Sequence, residues 1–221
     1  MSGANLVQAL LVVGMFGMFF LGALYMQRVL GYDALEVGLA YLPTTLVMGT
    51  MSFRFSAQLN MRYGPKATLI PSMVAIGAGL LLFARTPVDA AYVVDLLPPT
   101  VLIGLGAGLA FPSLMTLAMS GATQQDSGLA SGLVNTSVQV GGAIGLAVLA
   151  TLASERSDTA LAQGESAASA LNSGYHLAYL VGAALIGVAL VVALRVFQTE
   201  PAAATETEAP MATEVAFPEA A

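Results

Sequence analysis

The sequence has no cysteine, no tryptophan and a single histidine, His176. Without cysteine there are no disulfides and no thiolate metal sites, and redox chemistry gives no guide to compartment. One histidine cannot build a multi-histidine centre, so no metal site is expected. Charge is scarce too: Asp, Glu, Lys and Arg make up 9% of the 221 residues, where soluble domains carry about a quarter. A soluble chain needs charge along its helices to cover its surface, yet here the charges fall in a few clusters between long apolar runs. There is no basic segment ahead of the first apolar run either. That run, 5–27, is longer than the core of a secretory signal, and five more follow it, so it reads as a membrane span.

What is present is apolar. Hydrophobic residues make up 57% of the chain and the mean hydropathy is +0.81. An ionised side chain at the bilayer centre costs at least about 2.5 kcal/mol on insertion scales, so spans can be bounded by where charges stop. Six windows result: 5–27, 37–53, 67–84, 96–120, 128–153 and 175–194. They are apolar on all sides and show no alternation of period two, which requires helices and not barrel strands. The predicted fold class is all-α, a polytopic transmembrane bundle of six spans over 1–198. The second and third windows are short and should stand nearly upright. Pro43, Pro71, Pro98, Pro99 and Pro112 lie in or at the ends of spans and predict kinks that neighbouring helices re-satisfy.

The net charge of −6 is largely a tail property, because Glu200, Glu206, Glu208, Glu214 and Glu219 all lie near the end of the chain. The composition of 199–221 predicts a disordered acidic tail, and 155–173 reads as a polar loop. Arg54, Arg62 and Lys66 form the densest basic cluster; with Arg195 they outweigh Arg28, Arg85 and Arg156 and predict an orientation with both termini cytoplasmic. The bilayer is the expected partner, and no nucleic acid is.

Three glycine pairs recur at GxxxG spacing: Gly104 with Gly108, Gly128 with Gly132, and Gly141 with Gly145. Such spacing lets helix backbones approach closely. In the fifth window Ser131, Asn135, Gln139 and Gly142 share one face, a polar stripe whose amides need partners either across a helix interface or in a water-filled cavity. Phe19, Phe20, Tyr25, Met26, Tyr41 and Phe111 would suit bulky apolar or cationic molecules through aromatic and methionine contacts, or pack as core.

The loop after the second window reads AQLNMRYGPK from Ala57 to Lys66. With Leu59, Arg62, Gly64 and Lys66 it resembles the G-x-L-a-D-r-x-G-r-k signature of the major facilitator superfamily, while Ala57 replaces the first glycine and Met61 the acid. A gating role implied by that acid stands against a plain turn carrying anchoring charge. A stronger resemblance runs over LIGLGAGLAFPSLMTLAMSG and GLASGLVNTSVQVGGAIGLAVLATLA, which is similar to spans twelve and thirteen of the fourteen-span drug:proton antiporter branch. Val138 stands where many relatives carry arginine. LYMQRVLGYDALEVGLAYLP, beginning at Leu24, resembles spans nine and ten of the same branch.

The resemblance implies the C-terminal six-helix half of a proton-coupled exporter of small amphipathic or cationic drug-like substrates. No cofactor is implied beyond the proton gradient. The partner would be an N-terminal half or a second copy. It also implies that the first, second, fourth and fifth spans line a central cavity, which makes Asn135, Gln139, Ser131, Phe19, Tyr25, Tyr41 and Phe111 the substrate-cavity candidates. No ionisable residue lies near the centre of any span, and Asp33, Glu36, Asp89 and Asp95 fall at the edges, so coupling groups are expected in the other half. Two other readings stand beside it: a non-transporting fragment or scaffold subunit, and an intramembrane serine protease using Ser131 and His176. Against the protease, Leu129 stands where the G-x-S-G signature has glycine, and the two residues begin spans at opposite faces. His176, beside Tyr175 and Tyr179, reads instead as part of an interfacial aromatic belt.

Overall fold

The computed structural model describes residues 2–120 and 127–197. The acidic tail expected from 199 lies outside the described residues. Regular structure among the described residues is helical throughout and forms six long helices. We label them α1 (Ser2–Arg28), α2 (Ala34–Tyr63), α3 (Pro65–Phe83), α4 (Tyr92–Met119), α5 (Ser127–Ala162) and α6 (Ala167–Phe197). Each is long and apolar enough to cross a bilayer, as half of a major facilitator fold requires.

Local chemistry sets the ends. Asp33 accepts from the Glu36 amide at 2.8 Å while Glu36 accepts from the Asp33 amide at 2.9 Å. This reciprocal cap starts α2 and is worth about 1 kcal/mol. Pro98 and Pro99 cannot donate within α4, and the helix opens with a π-helical stretch, Tyr92–Leu96, in which the Leu97 amide reaches back to the Tyr92 carbonyl. A second such stretch, Met51–Ser56, lies inside α2. Gly64, with φ +84°, makes the turn between α2 and α3, and Pro65 opens α3.

The helices pack in two exchanged groups. α1 lies against α5 and α6, α4 lies against α2 and α3, and α3 against α6 joins the groups. In hydrocarbon, apolar burial between helices gains little from excluding water, so close backbone approach and hydrogen bonding must hold the bundle. The glycines supply the approach. A Cβ on Gly104 would lie 2.6 Å from the Thr44 carbonyl oxygen, and one on Gly108 would strike the carbonyl of Met48, so this GxxxG pair seats α4 on α2. Gly141 and Gly145 seat α5 on Ala9 and Val13 of α1, whereas Gly128 and Gly132 have open space around them. The core between the groups holds Leu11, Met18, Met73, Ile76, Leu80 and Ile103.

Two expectations change. Much of 155–173 is helix, not loop: α5 continues to Ala162 and α6 starts at Ala167, because alanine and serine there sustain a helix once backbone hydrogen bonds are made. The reversal is confined to a turn in which Gly164 adopts φ +90° and the Glu165 amide reaches the Ala160 carbonyl at 3.1 Å. The second span is likewise longer than its apolar window, 30 residues, and only 17% of its apolar window is buried inside the bundle. For α5 the buried share is 22%, against 61% for α1 and 56% for α4, so α2 and α5 are the helices with most uncovered surface.

Candidate functional site

The polar stripe of α5 runs from an open surface into a helix seam. Gly142, at its far end, is buried where an added Cβ would stand 3.2 Å from Val12 and 3.5 Å from the ring of Phe16. Ser131 is half-buried, and Asn135 and Gln139 are exposed. Neither amide makes a side-chain hydrogen bond among the described residues, so helix-to-helix pairing within this bundle does not use them.

The aromatic candidates divide. Phe19 and Tyr41 come together, ring centroids 5.2 Å apart, and the Tyr41 hydroxyl donates to the carbonyls of Phe19 at 3.1 Å and Met18 at 3.3 Å. Both are half-buried, as is Phe111, and Phe20 is exposed. Tyr25 stands elsewhere. It is fully buried, its hydroxyl donates to the Pro87 carbonyl at 2.6 Å and its ring meets Tyr175 edge-on at 6.3 Å, so it holds the α3–α4 connection and lines no surface. Met26 is buried as well.

His176 is also drawn inward. Its Nε2 lies 2.8 Å from the Thr86 carbonyl, to which Asn172 Nδ2 donates at 3.0 Å, while Tyr175 and Tyr179 are buried in the bundle. The expected aromatic belt is thus an internal latch, formed because the 84–91 connection folds back over the ends of α1 and α6. Two amides that sequence reasoning passed over, Asn5 and Gln8 on α1, carry buried side-chain oxygens without hydrogen-bond partners. The signal was available: they are amides one turn apart in an otherwise apolar span.

In the basic loop, Gly64 fulfils a backbone requirement. Leu59 is half-buried, exposed Arg62 lies over the Tyr63 ring at 5.2 Å, and Lys66 is half-buried at the start of α3. Met61, in the place of the signature acid, is 82% exposed, and beside it Asn60 accepts from Ser113 at 2.8 Å, which ties α2 to α4.

Comparison with known proteins decides the family. The sequence profile described as Major Facilitator Superfamily matches residues 3–146. The chain belongs to the major facilitator superfamily. Among relatives, a puromycin resistance protein of Streptomyces alboniger is 33% identical over 91% of this chain and 42% of its own length. A cephamycin export protein of Amycolatopsis lactamdurans is 41% identical over 67% of this chain and 30% of its own length. A tetracenomycin C resistance and export protein of Streptomyces glaucescens is 29% identical over 71% of this chain. The chain therefore spans less than half the length of the first two of these relatives.

As a major facilitator protein the chain is a multi-pass membrane transporter homologue and not an enzyme. The geometry also separates the two residues of the protease reading. Gly174 packs on Ala153 and Ser157, so His176 lies near that level of α5, while Ser131 stands roughly 30 Å away at 1.5 Å per residue, far beyond proton-transfer reach. Three of the four edge acids of this facilitator bundle have structural uses. Asp33 and Glu36 cap α2, and Asp95 accepts from the Ala91 amide at 2.8 Å.

Proposed function

We propose that this chain forms the C-terminal six-helix half of a proton-coupled exporter of small amphipathic or cationic drug-like molecules, of the fourteen-span antiporter branch. It resides in the plasma membrane with both termini cytoplasmic and works with an N-terminal half or a second copy of itself. The observation that carries this reading is the exposed pair Asn135 and Gln139 on α5. Amides in the apolar part of a span need a polar environment, and no described side chain hydrogen-bonds either of these two. A water-filled cavity closed by a second six-helix unit would supply it, and alternating access in this fold works by rocking two such units about a site between them.

The relatives' names suggest puromycin and cephamycin as first solutes to test. In proteoliposomes, uptake of puromycin driven by a pH gradient is expected only when this chain is reconstituted with a first half, such as that of the Streptomyces alboniger relative. Gradient-driven uptake by this chain alone would overturn the half-transporter reading and turn attention to the edge acids, Asp95 first.

A further inference from the structure

Gln8 is 4% exposed and its Oε1 has no hydrogen-bond partner among the described residues; Asn5, one turn earlier, leaves a buried Oδ1 in the same condition. A buried acceptor without a donor is costly. Neither amide holds helices together, so the packing offers no return for that cost.

The seam between α1 and α5 shows where these oxygens stand. Ala9 meets Gly141, Val12 meets Gly142, Val13 meets Gly145 and Gly17 meets Leu149. Both numbers rise together, so the helices run parallel. Carried back toward the N-termini, these offsets of 130 to 132 set Gln8 level with 138–140 and Asn5 level with 135–137, so Gln139 and Asn135 stand within about 3 Å of those levels along the axis. Side matters as well as level. Gly142, in the stripe with Asn135 and Gln139, touches Val12 and Phe16 and so marks the side of the seam that the stripe occupies. Gln8, four residues before Val12, lies on that same face of α1, with Asn5 a turn below it and Phe19 two turns beyond Val12.

We propose that Asn5 and Gln8 of α1, with Asn135 and Gln139 of α5, form a carboxamide site that binds the uncharged hydrogen-bond-donating end, hydroxyl or N–H, of an amphipathic solute. This rests on the transporter reading above and narrows its substrate class. The donor requirement comes from the two orphan oxygens. The lack of charge follows from the sequence, since no acidic residue falls in α1 or between Ser127 and Ser154 of α5. A full cation would be desolvated there with no counter-charge from this chain. Phe16 and Phe19 stand further along as an apolar wall for the rest of the molecule.

The chain has no tryptophan, so Phe16→Trp creates a unique fluorescent reporter beside the site. In lipid nanodiscs, energy transfer from it to N-phenyl-1-naphthylamine, whose N–H can donate, should saturate above the linear partitioning background. The N-methyl derivative, which cannot donate, should bind about fivefold more weakly. Gln8→Leu should abolish this preference. Gln139→Leu should do the same and, being on an exposed surface, cannot act by unfolding the bundle. Circular dichroism verifies helicity in each variant. Equal binding of the two probes, indifference to both leucine substitutions, or no saturable transfer with either probe would each overturn the carboxamide site. Loss of the site with export by the assembled transporter intact would leave the transporter reading standing, whereas absence of export from the assembly would refute that reading directly.

Discussion

Gly104 and Thr44 approach so closely that a methyl group at 104 would stand 2.6 Å from the Thr44 carbonyl oxygen. Backbone cannot yield as a side-chain tip can, so Gly104→Leu should cost about 1–3 kcal/mol or more through overpacking. Gly132, with nothing near it, should accept leucine within about 0.5 kcal/mol. Thermal unfolding in detergent, followed by size-exclusion chromatography, compares the two. Equal stability would show that α2 is not held by this contact.

The latch over the 84–91 connection rests on three polar contacts from Tyr25, Asn172 and His176. Tyr25→Phe removes one and should lower stability by about 0.5–1.5 kcal/mol. Amide hydrogen exchange should rise in 84–91 and not at the Gly64 turn. Uniform loss of protection across the bundle would instead make Tyr25 a general core residue.

Absence of native cysteine allows single-cysteine topology mapping. Ala160, inside the expected loop, is fully buried, but Gln163 is exposed in the α5–α6 turn and Met61 is 82% exposed at the opposite end. With both termini cytoplasmic, Gln163→Cys should react with an impermeant maleimide on intact cells and Met61→Cys only after permeabilisation. The reverse pattern would invert the orientation.

Asn135→Leu and Gln139→Leu should each alter the spectrum of drugs exported by the assembled transporter while membrane levels stay unchanged, because neither amide contributes a described hydrogen bond to the bundle. Dose–response curves for several solutes, set beside immunoblots of membranes, provide the readout. Parallel loss of protein and of every resistance would show a packing role.

The six helices were legible because charge cannot enter hydrocarbon, and the gaps between charged clusters mark the spans. The helical continuation of α5 and α6 past Ala153 and before Tyr175 was not, since hydropathy reports where the bilayer ends and not where hydrogen bonding does. Among aromatic residues, sequence could not separate buried Tyr25 from half-buried Tyr41: a span apolar on every side has no periodicity that tells core from cavity. The link from His176 to Thr86 joins residues 90 positions apart and depends on how a connection folds back over the bundle. The polar face of α5 was readable from spacing alone, and the matching amides of α1 were equally visible, one turn apart.

The long α5–α6 hairpin also offers a practical handle. At 1.5 Å per residue, the 36 residues of α5 span about 54 Å, well beyond a hydrocarbon core of about 30 Å, so its turn rides clear of the lipid on two rigid struts. An epitope inserted beside Gly164, where the backbone already reverses and an added Cβ would meet nothing within 4 Å, would be carried like a flag on a mast. An antibody fragment bound there would give this small, otherwise featureless bundle a fixed external landmark for imaging.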